Sequence, residues 1–341
     1  MRIIEIILQN NYRTVSIVGL AKNAGKTVAL NYLIEEAENA GINIGITSTG
    51  RDGENTDLVT HTQKPSIYVA EGMYVATAKD ALMLSEARTE ILETTGISTP
   101  MGEVVIVRVR QKGTMQIAGP ISATDMKYVT RRLLHYGAEV VIIDGAIDRK
   151  AVSSPAITDA CLIATGAVLS RDMKKVLEKT AHAVECLTLR ETDENVKKII
   201  KGHNKTCIIQ NTGKVVVPDI KTSITGGKKI SELIDEDTEY VFIKGAITTT
   251  LLKEIGENKF LRGIKLIIED GTKIFTDVNV WNELRRKGLR VETLDAVNVI
   301  AVTLNPVSPA GYFFDSTVFM AEMKKYLPGV KVVDVVSEVC N

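Results

Sequence analysis

A short apolar run, Thr14-Val15-Ser16-Ile17-Val18, passes directly into Gly19-Leu20-Ala21-Lys22-Asn23-Ala24-Gly25-Lys26-Thr27, and then into a segment with apolar residues at Val28, Leu30, Leu33, Ile34 and Ala37. The first run suits a buried strand, whereas the three-and-four spacing after the glycines defines one face of a helix. Gly41 ends the helical pattern where a left-handed C-terminal cap belongs. A strand, a tight glycine turn and a helix in immediate succession leave few options, because the helix must fold back over its strand and so begin a βαβ unit.

The alternation continues along the chain. Ile42 to Thr47 predicts a second strand, and the polar stretch Gly50-Arg51-Asp52-Gly53-Glu54-Asn55-Thr56-Asp57 a loop at its carboxyl end, where open α/β sheets place ligands. A helix is expected over Lys79 to Thr94, strands over Glu103 to Arg110 and Met115 to Ala118, and a helix capped by Ser122 or Thr124 that runs to about Tyr136. Glu139 to Gly145 predicts a buried strand, Cys161 to Ala164 another, and Arg171 to Val184 a helix. From about Val215 the pattern weakens into Thr225-Gly226-Gly227-Lys228-Lys229. The expected organisation is therefore a larger α/β domain over 1–214, with a mostly parallel sheet and flanking helices, and a smaller α/β domain over 215–341. Strands at Tyr240 to Ile243, Lys265 to Ile268, Val297 to Val302 and Val330 to Val333, and helices at Val278 to Lys287 and Ser316 to Tyr326, fall in the smaller domain.

Lys plus Arg and Asp plus Glu number 42 each, so no global field draws the chain to nucleic acid or an anionic membrane, although a local basic patch stays open. The start, Met1 to Asn10, is apolar but broken by Glu5, and reads as an opening helical turn. No run reaches the roughly 18 apolar residues of a membrane-spanning helix. Cys161, Cys186, Cys207 and Cys340 show neither zinc-ligand nor disulfide-framework spacing, which fits a reducing cytoplasm.

Nucleotide phosphates need backbone N–H groups at a helix start, a cation for the β and γ oxygens, and a hydroxyl for magnesium. Gly19, Asn23, Ala24, Gly25, Lys26, Thr27 and Val28 form such a set between strand and helix, with Lys26 acting on the phosphates and Thr27 as a Mg²⁺ ligand. The common G-x4-G-K-[ST] pattern puts its first glycine where Leu20 stands; here it falls one residue earlier, at Gly19. That nine-residue spacing resembles the loop of dethiobiotin synthetase and of cobyrinic acid amide synthetases. Asp144, closing the apolar run Val140 to Ile143, is the expected second metal ligand. Asp52, Glu54 and Asp57 crowd the loop after the second strand; Asp52 or Glu54 either ligates magnesium or orients an attacking water, or the loop is simply a solvated acidic one. Arg51 contacts phosphate or pairs with these acids.

Asn211, after Thr206 to Gln210, offers an amide for adenine, against the alternative of an ordinary Asn211-Thr212-Gly213 turn. An Asn-Lys-x-Asp guanine reader does not occur, which favours ATP. His61, His135, His182 and His203 are scattered; Trp281 and Phe275 are expected in the core, as is Cys161. The loop Asn305 to Asp315, with prolines and aromatic residues, is a partner-binding surface, a lid or a packed connector.

Three stretches, Ile17 to Thr27, Thr47 to Glu54 and Leu304 to Pro309, together resemble the reactivase subunit of lysine 5,6-aminomutase from amino-acid-fermenting anaerobes. The resemblance implies a P-loop ATPase of the dethiobiotin synthetase-like group that works with a partner ATPase to restore an adenosylcobalamin-dependent aminomutase. Cobalamin would belong to the partner, since no Asp-x-His-x-x-Gly signature occurs here. Two further readings stay open, an ATP-dependent ligase with its substrate at the second domain or a homodimer interface, and a nucleotide-binding interaction module without turnover.

Overall fold

The computed structural model describes residues 1–50, 67–145 and 150–336. The chain divides into two compact units, Met1–Ala181 with Asn298–Asn341, and His182–Val297.

In the first unit α1 (Ile3–Gln9) precedes β1 (Thr14–Gly19), α2 (Lys26–Asn39) and β2 (Ile44–Ser48). There follow β3 (Ile67–Val69), β4 (Tyr74–Ala78), α3 (Lys79–Met83), β5 (Arg88–Thr99), β6 (Gly102–Gln111), β7 (Gly113–Met115), α4 (Ala123–His135), β8 (Val140–Gly145) and β9 (Ala160–Gly166). After α5 (Met173–Leu187) the chain forms the second unit from α6 (Glu194–His203), β10 (Cys207–Gln210), β11 (Val215–Val216), α7 (Gly227–Glu232), β12 (Thr238–Ile243), β13 (Ile247–Thr248), α8 (Thr249–Gly256), β14 (Lys265–Ile268), β15 (Ile274–Phe275), α9 (Val278–Lys287) and β16 (Val291–Thr293). It then returns to the first unit with β17 (Val299–Asn305), α10 (Ser316–Tyr326) and β18 (Lys331–Asp334).

The first unit is built on a nine-stranded sheet in the order β18-β17-β9-β1-β8-β2-β4-β6-β5. Every pairing from β18 to β4 is parallel, and only β6 and β5 run antiparallel to their neighbours. The central strands are apolar on both faces because helices cover both. Val15, Ile17, Ile142 and Ile46 pack with Leu30, Leu33 and Ile3, Ile4 and Ile7 of α1, whereas Val18, Val141 and Ile143 pack with Met126, Val129 and Leu133 of α4. Ends are set locally. Gly41, left-handed at φ 68, follows α2, and the N–H groups of Gly41 and Ile42 bond the carbonyls of Glu38 and Ala37, which closes a Schellman cap. Ser122 caps α4 by accepting from the Asp125 N–H at 3.0 Å.

The second unit has a five-stranded sheet, β11-β10-β12-β14-β16, whose β12, β14 and β16 are parallel and whose β10 is antiparallel to β12. Its main core gathers Trp281 and Leu284 of α9, Leu251, Leu252 and Ile255 of α8, and Val241, Leu266 and Ile268 of the sheet.

Three expectations need correction. The expected helix over 79–94 stops at Met83, and Arg88–Thr99 is instead a strand paired with β6. Thr89, Ile91, Thr94 and Thr95 are β-branched and Gly96 is left-handed, so the local preference for helix is weak and pairing with β6 overrides it. Domain boundaries also differ. The second unit begins at His182, not 215, and residues from Asn298 onward rejoin the first because β17 lies parallel to β9, with Val302 opposite Ile163 and Thr303 opposite Ala164. Phe275, expected in the core, is half exposed, while Trp281 is fully buried. No described helix is long and apolar enough to cross a membrane.

The edge strand β5 is tied to α4 at one carboxylate. Glu93 accepts from Tyr128 Oη at 2.8 Å, Arg132 Nε at 2.7 Å and Tyr136 Oη at 2.9 Å. Burial works to raise its pKa, but the hydrogen bonds from Arg132 and the two tyrosines outweigh it and hold the carboxyl below the ordinary range. A depressed folded-state pKa stabilises the fold above the unfolded value of about 4.3, and the contribution is lost as pH falls through the folded value. Glu93→Gln is therefore expected to cost about 1–3 kcal/mol at neutral pH and less as the solution is acidified, measured by urea unfolding at pH 7 and below pH 4. An equal cost at both would contradict a charge-dependent tie.

Candidate functional site

The 19–27 loop leaves the sheet with the Leu20 N–H bonded to the Ala164 carbonyl at 2.9 Å, so β1 runs one residue further beside β9 than its last residue, Gly19. It then tightens: the Ala24 N–H reaches the Ala21 carbonyl at 3.2 Å, and Asn23 and Gly25 are left-handed at φ 62 and 97. Asparagine and glycine bear that conformation at least cost, which is why these residue types recur at alternate positions. Left-handed residues in a tight turn belong to the backbone arrangements that form anion-binding concavities. Gly25 is the N-cap of α2 and offers no side chain to it. The first-turn N–H groups, on Lys26, Thr27 and Val28, have no carbonyl of their own helix to reach, so they and the helix dipole favour an anion there.

Two glycines are explained by what crosses them. A Cβ on Gly19 would stand 2.9 Å from Lys26 Cγ and 3.1 Å from Cδ, so the aliphatic stem of Lys26 lies back across the end of β1. The displaced glycine is thus a seat for Lys26. A Cβ on Gly25 would stand 3.0 Å from the Asn305 Cβ, and one on Gly166 would stand 2.2 Å from the Asn305 carbonyl oxygen. Asn305, the last residue of β17, is therefore wedged between the loop and the end of β9, with Oδ1 accepting from the Val307 N–H at 3.0 Å. Its place beside the loop is not legible in the sequence, where Asn305 opens the 305–315 segment and lies in the Leu304 to Pro309 stretch. An Asn-Pro pair at the end of an apolar run is the signal that could have marked it.

Asp144 is brought to the same end of the sheet. It is 4% exposed, near the end of β8 between β1 and β2, with Ile17 and Ser48 as register partners. Its carbonyl accepts from the Thr49 N–H at 2.9 Å. Beside it the Ser48 hydroxyl is buried and has no hydrogen-bond partner among the described residues. The wall here is tight: a Cβ on Gly119 would stand 2.0 Å from the Ser48 carbonyl oxygen. Loop and carboxylate thus sit at the carboxyl ends of adjacent parallel strands, where open α/β sheets form their sites.

Arg51, Asp52, Glu54, Asp57 and His61 lie outside the described residues. Asn211 is not carried to the loop by this sheet. It belongs to the second unit, in the turn where the Gly213 N–H bonds the Gln210 carbonyl at 2.8 Å, and its own amide donates to Asp237 Oδ1 at 3.3 Å. Burial pushes the Cys161 thiol up to about 12, so it stays protonated and inert, as its core position suggests. No group of three or more His, Cys, Asp or Glu that could hold a metal ion occurs among the described residues. A cation at Thr27 and Asp144 would have to share its shell with ligand oxygens and water.

No family model matches the chain, and no curated protein matches it. What stands on the geometry is an α/β protein with a large, mostly parallel mixed sheet flanked by helices.

Gly25→Ala is expected to destabilise the fold by about 1–3 kcal/mol, since it adds a left-handed penalty to a crowded Asn305 contact. Gly41→Ala, left-handed at φ 68 with nothing within 4 Å, should cost only about 1 kcal/mol. Urea midpoints of the two variants test this, and equal shifts would mean that Asn305 does not press on the loop.

Proposed function

We propose that this protein binds ATP with Mg²⁺ on the 19–27 loop and hydrolyses it while acting on another enzyme. The observation that carries the reading is the left-handed Gly25, which starts α2 at Lys26 without a side-chain cap one strand away from the buried Asp144. The residues fit a magnesium nucleotide. An uncapped helix start suits phosphate oxygens, a lysine stem folded over Gly19 keeps its ammonium near the loop, and the Ser48 hydroxyl at Asp144 suits a bound water or ligand oxygen.

On this reading the N–H groups of the loop and of Lys26, Thr27 and Val28 bind phosphate oxygens, and the Lys26 ammonium holds the β and γ groups. The Thr27 hydroxyl and Asp144 carboxylate would hold magnesium, which when bound neutralises charge on the phosphates. Asp52 or Glu54 would orient the attacking water. The role downstream, reactivation of an adenosylcobalamin-dependent aminomutase together with a partner ATPase, rests on the resemblance of the Ile17 to Thr27, Thr47 to Glu54 and Leu304 to Pro309 stretches. Hydrolysis would bias a two-state element with different affinities for the partner.

Lys26→Ala is expected to weaken ATP binding by about tenfold or more, from the loss of a charged phosphate contact. Asp144→Asn should shift the magnesium dependence of binding to higher concentration, followed by calorimetric titration of ATP at several Mg²⁺ levels. Unchanged ATP affinity in the Lys26 variant would remove the loop from the site. Phosphate release stimulated by an aminomutase supports the regulatory role, release that requires a small carboxylic acid supports a ligase, and tight binding without release supports an interaction module.

A further inference from the structure

The chain is neutral in sum, but its second unit concentrates arginine on one face. Arg262, Arg285, Arg286 and Arg290, with Asn282, line a concavity of about 860 Å³ around the carboxyl end of α9. The fold holds them there. Gly288, left-handed at φ 107, ends α9 and turns the chain so that Leu289 is buried while Arg290 emerges beside the helix end. Arg262 Nε donates to the Lys287 carbonyl at 3.2 Å, Arg285 Nη1 to the Leu289 carbonyl at 3.2 Å, and Arg290 Nη2 to the Arg262 carbonyl. Each of these three guanidinium groups donates one such hydrogen bond to a carbonyl, Arg285 also approaching Glu185 through Nε, and a fork with five N–H donors keeps most of them for another acceptor.

Local acids compensate only part of this charge. Glu185 approaches Arg285 Nε at 3.6 Å, and Glu283 pairs with Lys287 at 2.6 Å. The partial negative charge at the helix end accounts for one or two cations near α9, not for four forks around one hollow. Arginine in place of lysine also matters, because a planar fork matches the paired oxygens of phosphate or carboxylate, whereas an ammonium is a point charge. The forks gather at a single helix end and form no extended stripe, which suits a compact anion better than an extended polymer.

We infer that this face of the second unit binds a small ligand carrying two or more phosphate or carboxylate groups, in a site separate from the 19–27 loop. Trp281 of α9 is buried in the core of this unit and does not line the hollow, so binding is followed by titration calorimetry. Pyrophosphate and, in a parallel arm, citrate are titrated into the full-length protein, with potassium chloride of equal ionic strength as control. The expected result is saturable binding that persists at one ligand per chain in Lys26→Ala, where the loop no longer competes, and that weakens about tenfold or more when Arg286→Ala/Arg290→Ala is added. Arg286→Lys/Arg290→Lys retains charge and solubility, and it should also weaken binding because the forks are lost. Saturation by pyrophosphate alone marks a phosphate ligand, and by citrate alone a polycarboxylate. A response equalled by chloride, lost in Lys26→Ala, or unchanged in both arginine pairs overturns the inference.

Discussion

Gly25 holds the backbone in a conformation that residues with a Cβ adopt only at a cost, and the neighbourhood of the loop follows from that reversal. Because the turn is completed within the loop, α2 begins at Lys26, close enough to the end of β1 for the lysine stem to lie on Gly19. The same reversal leaves a space that Asn305 fills from a strand far along the sequence. One dihedral therefore fixes the direction of a helix, the residue type at position 19 and the packing of β17. A glycine that only loosened the chain would impose none of these.

The parallel sheet does the rest of the positioning. Strands that run the same way deliver their last residues to one edge, so Gly19, Ser48, Asp144, Gly166 and Asn305 come from five separate stretches and still meet at neighbouring strand ends. Their polar groups tolerate this placement because the apolar layers lie behind them, in the Val and Ile runs that are buried on both faces. Long excursions do not disturb this logic. The second unit is inserted between β9 and β17, yet these two strands pair directly, from Val299 opposite Cys161 to Asn305 opposite Gly166.

Local signals explain which elements were legible in the sequence. β1, α2, α4, β8 and α9 combine strong periodicity with caps that act over a few residues, so spacing alone located them within a residue or two. The stretch from Lys79 to Thr99 carries mixed preferences, and its strand exists because β6 is available to pair with it, a fact no window of residues contains. The boundary at 215 failed for the same reason. A weakened pattern marks a change in local order, whereas membership of a unit is set by which strand lies alongside, and β17 resembles any other buried strand until its partner β9 is known. At the site, Gly25, Lys26 and Asp144 were legible as types at fixed positions. Asn305 was not, because its role depends on contact with two glycines brought to it by the sheet.

Charge shows the same division between sum and placement. Equal numbers of acidic and basic residues exclude a strong overall field, and that remains a sound deduction. Yet a field is felt over about a Debye length, roughly 8–10 Å in physiological salt, so an anion near α9 responds to the arginines around it and hardly to carboxylates elsewhere. Two of those arginines, Arg262 and Arg285, donate to the Lys287 and Leu289 carbonyls where α9 ends, and Arg290 donates to the Arg262 carbonyl beside them. The helix terminus has thus assembled positive groups by ordinary capping, and their number and fork geometry exceed what capping requires.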